Sequence, residues 1–160
     1  MIYKNLAEIL IHTDAKQIYD IIVKSVDREL ERRTRQGGKW SSLSTGVNMG
    51  RCAGHTVAAA MLTKKYHEEG RKVYYMGYSL RFAKEFSAIY RNLFNEKCPA
   101  IETAPRSVLN YEYYRGHNIS GAVIILDDTM RYGHDIVKFI RDRERMPVCD
   151  APIIIQLGNN

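Results

Sequence analysis

The clearest strand of the sequence reads Ala122-Val123-Ile124-Ile125-Leu126 and ends directly at Asp127-Asp128. Five apolar residues in succession lack the alternation of a strand with one wet face, so both faces of this strand are predicted to be covered. A second run of this kind occupies residues 73–78. Strands buried on both sides are typical of parallel sheets that carry helices. The two runs therefore predict the α/β class.

The pattern on either side of these runs alternates between strand and helix. Apolar residues at helical spacing predict four helices, over residues 15–33, 55–69, 80–95 and 135–145. Two further strands are expected at residues 40–47 and 152–156. Gly37 and Gly38 interrupt the pattern after the first helix. We therefore expect a helical N-terminal extension over residues 1–38 and an α/β core over residues 39–160, together forming a single domain.

Composition favours an anionic partner and gives no sign of a membrane segment. The 160 residues include 24 Lys and Arg against 18 Asp and Glu, a formal charge of +6. Such an excess suits nucleic acid, a nucleotide or an acidic protein surface, although a solvated basic surface gives the same count. No apolar run approaches the roughly 20 residues of a membrane span. The three cysteines fit no zinc pattern and predict a reduced, cytoplasmic setting.

The loop after the first predicted strand is the first candidate site, since parallel sheets bind ligands where strands end. It reads Asn48-Met49-Gly50-Arg51-Cys52-Ala53-Gly54-His55-Thr56. A glycine-containing loop that opens a helix lets backbone N–H groups converge on an anion. Phosphate binding is therefore assigned to Gly50, Arg51, Cys52, Ala53, Gly54, His55 and Thr56. The Thr56 hydroxyl is the candidate Mg²⁺ ligand, and an ordinary strand-to-helix turn remains the alternative.

This loop, with the helix and strand after it, resembles the P-loop NTPases, most closely the helicase-like and viral DNA-packaging (terminase) ATPases. Their loop often reads Arg-x-x-Gly-Lys-Thr, and here His55 replaces the lysine. The resemblance covers residues 40–157. It implies a three-layer core with a mainly parallel sheet, ATP and Mg²⁺ as ligands, DNA or RNA handling, and an oligomer or protein partner. It also implies a cytoplasmic location, in the host if the protein is viral.

The carboxylates after the central strand resemble the Walker B element of the same family. There the first acid holds the Mg²⁺ shell and an adjacent acid, usually Glu, activates water. The resemblance makes Asp127 the metal residue and Asp128 the catalytic base. It also gives Gln156, or Asn159 beyond it, a catalytic contact to the γ-phosphate. Alternatively, Asp127 and Asp128 are an acidic strand end that caps a helix. For Gln156, the alternative is that it belongs to a polar chain terminus without a catalytic role.

Two departures from the family pattern predict binding more readily than fast hydrolysis. The usual lysine makes charge-assisted bonds worth roughly 1.5–3 kcal/mol, whereas a histidine is shorter and carries no permanent charge. Arg51 supplies a second cation in the loop. Asp128 is one methylene shorter than Glu, and a misplacement of ~1 Å can cost ~10²-fold in rate. Nothing in the sequence selects an arginine finger among Arg106, Arg115 and Arg131.

Two other functions remain open. Residues 124–135 are also similar to the phosphoribosyl-pyrophosphate site of phosphoribosyltransferases, although Arg131 and Tyr132 stand where small hydroxyl residues usually sit. The third interpretation is a non-catalytic module that binds nucleic acid or protein. It rests on the tyrosine-rich residues 111–115 and on a basic helix end whose nucleic-acid candidates are Arg32, Arg33 and Arg35, preceded by Arg28. A solvated helix end explains the same arginines.

Overall fold

The computed structural model describes residues 14–50, 54–103, 119–129, 137–138 and 145–158. Its helices are α1 (Asp14–Gln36), α2 (His55–Glu68) and α3 (Leu80–Phe94). Its strands are β1 (Lys39–Trp40), β2 (Leu43–Val47), β3 (Val73–Met76), β4 (Ile101–Thr103), β5 (Val123–Asp127), β6 (Met146–Pro147) and β7 (Ile153–Leu157). The tyrosine-rich segment, the three candidate arginine fingers and most of the helix predicted at 135–145 lie outside these residues.

Five parallel strands form the main sheet in the order β2-β7-β5-β3-β4. Strand β7 lies between β2 and β5, so that Ile155 pairs with Thr45 on one side and with Ile125 on the other. Because all five strands run the same way, their carboxyl ends meet at one edge of the sheet. The predicted α/β class with a mainly parallel sheet is confirmed, and the arrangement is compatible with a three-layer fold.

Both faces of the sheet are covered, as the continuous apolar runs predicted. Alternate residues such as Tyr75, Ile125 and Ile155 point toward the three helices and join their apolar faces in the main core. Residues of the opposite parity, such as Ile124 and Ile154, belong to a second buried cluster with Ile119 and Val137 on the other face. A side chain's position along a strand therefore decides which of the two layers it meets.

Helix α1 belongs to the main core. Ile18, Ile22 and Val26 are fully buried, and their four-residue spacing puts them on one face of the helix. Burial of each such side chain stabilises the fold by roughly 1.5–3 kcal/mol. The helix ends at Gln36, where Gly37 takes a left-handed conformation with φ 67°. The predicted span of 15–33 is therefore close to the observed one.

The strand predicted at residues 40–47 was wrong in one respect, because it divides into two strands of different sheets. Strand β1 pairs antiparallel with β6 in a separate two-stranded sheet, whereas β2 joins the main sheet. Strands β4 and β6 lie where none was predicted, because two or three residues are too short to produce a periodic pattern. None of the helices in the described ranges is both long and apolar enough to cross a membrane.

Gly46 tests how closely β2 and β7 approach. A Cβ at this position would lie 2.7 Å from the Gln156 carbonyl oxygen and 3.0 Å from the Gln156 Cβ. Since backbone cannot swing away, we expect Gly46→Ala to lower the free energy of unfolding by about 2–3 kcal/mol. Urea denaturation measures the change, with Ser44→Ala on the same strand as the control. Equal stability of Gly46→Ala and the unaltered protein would contradict the β2–β7 pairing.

Candidate functional site

The two sequence motifs meet at the carboxyl edge of the sheet. Thr56, in the first turn of α2, donates a hydrogen bond from Oγ1 to Oδ2 of Asp127 at 2.9 Å, although 71 residues separate the two along the chain. Asp127 is the last residue of β5 and is fully buried. The candidate phosphate loop and the candidate metal carboxylate are thus brought into direct contact.

Tyr75 is a third member of this contact, which the sequence interpretation missed. Its hydroxyl donates to the same oxygen, Asp127 Oδ2, at 2.6 Å. The ring is fully buried and stacks on Phe86, with ring centroids 3.6 Å apart and planes within 4°. In sequence, Tyr75 reads as one apolar residue of a buried strand. Tyr75 pairs with Ile125, two residues before Asp127, so the side chains of Tyr75 and Asp127 lie on the same face of the sheet. This shared face is the feature from which the contact could have been predicted.

The other carboxylate oxygen of Asp127 has no partner. Oδ1 is buried and makes no hydrogen bond to any described residue. Burial raises the pKa of Asp127, and the nearby Asp128 adds to this, while the bonds from Tyr75 and Thr56 and the interaction with His55 oppose it. A buried carboxylate oxygen without a partner is costly unless a proton or a cation satisfies it. Oδ1 is therefore the atom at which a proton or a cation would satisfy this carboxylate.

His55 holds the loop together and does not take the place predicted for it. The side chain is 6% exposed, and its Nε2 accepts a hydrogen bond from the Met49 backbone N–H at 3.2 Å. The placement therefore does not support His55 as a substitute for the P-loop lysine. Arg51, Cys52 and Ala53 lie outside the described residues.

The beginnings of α1 and α2 adjoin at Gly54. This residue has φ +85°, and a Cβ on it would lie 3.1 Å from both the Cβ and the backbone N of Ala15. Gly54, the N-cap residue, has no side chain to cap α2, and the first turn of α2 contains no acidic residue. Because a helix N-terminus carries a partial positive charge, the start of α2 favours an anion near Gly54. Gly50, whose N–H donates to Asn48 Oδ1 at 3.0 Å, lies in the same loop.

Asp128 is held in an uncommon backbone conformation beside the site. It has φ 51°, a left-handed value that costs a non-glycine residue about 1 kcal/mol, and its N–H donates to the Leu157 carbonyl at 2.9 Å. Its carboxyl packs directly over Gly158, where a Cβ would come within 2.3 Å of Oδ1. Aspartate is one of the few residues besides glycine that tolerate this conformation, and the role of Asp128 as a base stays a prediction.

Gln156 does not lie where the resemblance put it. Leu157 pairs with Asp127 and shares its face of the sheet, whereas Gln156 pairs with Leu126. Its side chain therefore points to the layer opposite Thr56 and Asp127. The contact predicted between Gln156 and a phosphate is not supported by this placement, because strand parity separates the two. Asn159, the other candidate, lies outside the described residues.

Gly158 offers a test of the Asp128 placement. We expect Gly158→Ala to lower stability by about 1–2 kcal/mol, since φ is +74° and the new methyl displaces the Asp128 carboxyl. Gly70→Ala is the matched control, with φ +84° and no described atom within 4 Å of the added carbon. Both variants carry the backbone cost, and Gly158→Ala alone should also weaken ligand binding at the site. Identical behaviour of the two variants would argue against the contact.

The residues present suit Mg²⁺ bound together with phosphate. No group of three or more His, Cys, Asp or Glu side chains in the described part of the chain could hold a metal by itself. Mg²⁺, however, usually takes only one or two protein carboxylates and completes its shell with water and substrate phosphates. The Asp127 Oδ1 atom and the Thr56 hydroxyl are such a donor set, since Thr56 donates its proton to Asp127 and keeps its lone pairs.

The phosphoribosyltransferase interpretation uses the same two carboxylates. Ribose hydroxyls, like a cation, would have to reach Asp127, which is buried and already accepts from Thr56 and Tyr75. Most of the loop that would hold the 5′-phosphate lies outside the described residues. That interpretation therefore gains no support from the geometry.

The chain matches no protein-family model, and comparisons with curated proteins and with solved structures likewise gave no match. The resemblance to P-loop NTPases thus stays a prediction. What bears on function is the geometry of Thr56, Tyr75 and Asp127.

The three predicted nucleic-acid arginines have different surroundings. The side chain of Arg33 is 12% exposed, donates to Glu29 and to the Ser42 carbonyl, and lies 4.4 Å from the Trp40 ring centroid. Arg32 also bonds Glu29, and the two arginines lower the pKa of Glu29 to about 2. Arg35 is 73% exposed. Arg33 is therefore engaged within the fold, and Arg35 is the most accessible of the three.

A groove runs between α1 and β2, which we name the α1–β2 groove. It has a volume of about 450 Å³ and is lined by Ile21, Lys24, Ser25, Arg28, Glu29, Arg33, Leu43 and Ser44. The lining includes three basic side chains, one acidic side chain and two serines, so the groove has a net positive charge. The acid, Glu29, is already paired with Arg32 and Arg33. The sequence interpretation chose the end of the helix, whereas this cationic concavity lies beside its middle.

Proposed function

We propose that this protein binds ATP with Mg²⁺ at the carboxyl edge of the sheet and hydrolyses it slowly. The observation that carries the proposal is the contact between Thr56 and Asp127, with Asp127 Oδ1 buried and unpartnered among the described residues. A hydroxyl at a helix N-terminus and a carboxylate at a strand end are the two donors that a phosphate-bound Mg²⁺ needs from a protein.

The phosphates are assigned to the start of α2. The backbone N–H groups at Gly54, His55 and Thr56 would bind the phosphate oxygens, and the N-terminus of α2 would supply partial positive charge. Asp127 Oδ1 and Thr56 Oγ1 would hold the Mg²⁺, while His55 keeps the Asn48–Gly50 turn in place through Met49. When bound, Mg²⁺ neutralises charge on the phosphate oxygens.

Asp128 is the proposed base, and its short side chain limits the rate of hydrolysis. Its backbone is fixed by the bond to Leu157 and its carboxyl by the contact with Gly158. The short side chain would accept the proton of a water whose oxygen bonds to the γ-phosphorus while the bond from that phosphorus to the bridging oxygen of ADP breaks. Since Asp reaches less far than Glu, we expect binding to be readily measured and turnover to be slow.

Calorimetric titration with ATP tests the proposal. We expect saturable binding in the micromolar to low millimolar range with Mg²⁺, and weaker binding when EDTA replaces the metal. Inorganic phosphate release measures turnover, and Asp128→Asn is expected to abolish it while leaving binding within about threefold. Absence of binding up to millimolar ATP in the presence of Mg²⁺ would refute the nucleotide function.

A nucleic-acid partner is proposed for the α1–β2 groove. Its support is the exposed cations Lys24 and Arg28, which line a concave surface beside Ser44. We expect Lys24→Ala with Arg28→Ala to weaken binding of single-stranded DNA by about tenfold at low salt and to flatten its salt dependence. Lys84→Ala with Arg91→Ala, on the exposed face of α3, is the charge-matched control. Salt-independent binding, or equal loss in both double variants, would exclude the groove.

A further inference from the structure

One carboxylate at the site is bound asymmetrically. Asp127 Oδ2 accepts from Thr56 at 2.9 Å and from Tyr75 at 2.6 Å, whereas Oδ1 accepts from no described residue. The torsion that turns an aspartate carboxylate is broad, so a single donor holds its two oxygens in place poorly. Two donors that approach the same oxygen from different elements hold it far better.

Tyr75 is the more rigid of the two donors. Its ring is fully buried and stacked on Phe86 of α3, and its backbone pairs with Ile125 of β5 in the register that leads to Asp127. Thr56, by contrast, is only partly buried and lies in the first turn of a helix that follows a loop. The direction of the carboxylate is therefore set mainly from the sheet, by Tyr75.

We propose that Tyr75 is a positioning residue that turns Asp127 so that Oδ1 is presented, with Thr56, to a divalent cation. The inference rests on the proposed function and deepens it, since it assigns the choice of ligand oxygen to a residue outside both motifs. A preset ligand oxygen gives a tighter cation site, because less freedom is lost when the metal binds.

The test uses Mn²⁺ as the probe and the 160-residue chain. Mn²⁺ is titrated by electron paramagnetic resonance, with and without ATP, into the unaltered protein, Tyr75→Phe and Tyr74→Phe. Tyr75→Phe removes only the hydroxyl and keeps the stacking on Phe86. Tyr74→Phe is the matched control, because it removes a hydroxyl from the opposite face of the same strand. Phe86→Leu keeps the hydroxyl but removes its stacking partner, and thermal unfolding verifies that each variant is folded.

We expect Tyr75→Phe to weaken Mn²⁺ binding by about tenfold, Phe86→Leu by about threefold, and Tyr74→Phe by less than twofold. A positioning role changes metal affinity at temperatures where every variant is folded, whereas a merely structural role lowers only the unfolding temperature. Unchanged Mn²⁺ affinity in Tyr75→Phe, or no Mn²⁺ binding by the unaltered protein, overturns the inference. If the unaltered protein binds Mn²⁺ but not ATP, the nucleotide function fails while the role of Tyr75 is judged from the metal titrations.

Discussion

The Asp127→Asn variant is expected to bind ATP with Mg²⁺ about 100-fold more weakly than the unaltered protein, and to bind it equally with or without the metal. Asparagine has nearly the same shape and still accepts from Thr56 and Tyr75, but it carries no charge. Loss of the charge removes the attraction to a divalent cation, and loss of even an outer partner of a metal ligand typically costs 10–100-fold. Calorimetry with and without EDTA measures both effects.

The same variant should be the more stable protein at neutral pH. Burial raises the folded-state pKa of Asp127 above its unfolded value, so its stabilising contribution is complete below the unfolded pKa and is lost as pH rises through the folded pKa. Asparagine does not titrate. The stability advantage of Asp127→Asn should therefore grow as the pH increases from about 4 to 8.

Urea denaturation at several pH values follows this trend, with Asp27→Asn on the exposed side of α1 as the control. An Asp127→Asn protein that is less stable at pH 8 than at pH 4, relative to the unaltered chain, would show that Asp127 is not held in a costly environment. The negative charge of Asp127 thus favours metal binding but lowers the stability of the fold. Such a trade-off is common at residues that bind a ligand.

Thr56→Val is expected to weaken Mg²⁺-dependent ATP binding by about 10–100-fold and to lower stability by about 1–2 kcal/mol. Valine copies the shape of threonine, so the loss reports the hydroxyl, which donates to Asp127 and offers its lone pairs to the cation. Thr56→Ser, which keeps the hydroxyl, should retain binding within about threefold.

Thr63→Val supplies the matched control for Thr56→Val. Thr63 lies in the same helix and is buried, and its hydroxyl donates only to the Ala59 carbonyl at 2.8 Å in the preceding turn. It should change stability slightly and leave ATP binding unaffected. If Thr63→Val weakened ATP binding as much as Thr56→Val, a general loosening of α2 would explain both results.

The parts of the fold that the sequence predicted are those with long, repeated patterns. Helix α1 shows a four-residue apolar spacing from Ile18 to Leu30, which is about three turns, and β5 is an unbroken apolar run, so both were placed within a few residues. The meeting of Thr56 with Asp127 was also expected, because strand ends of a parallel sheet gather at one edge.

What the sequence did not predict depends on neighbours that are distant along the chain. The contribution of Tyr75 follows from the β3–β5 register, and the misplacement of Gln156 follows from the β5–β7 register. A shift of one residue moves a side chain to the other face, and no local pattern fixes that alignment. The engagement of His55 with Met49 likewise depends on how one loop folds back on its own helix.

The position of β7 has a consequence for how the chain reaches its native state. Strand β7 comes last among the described strands, yet it lies between β2 and β5 and pairs with both. The first partner of β2 therefore arrives about 110 residues after it, so that the two halves of the sheet stay apart until β7 inserts between them. Contacts of such long sequence separation slow folding, since loop closure precedes the gain from pairing. The carboxyl ends of β2 and β5, which flank the candidate site, are therefore held in register by the last of the described strands and not by each other.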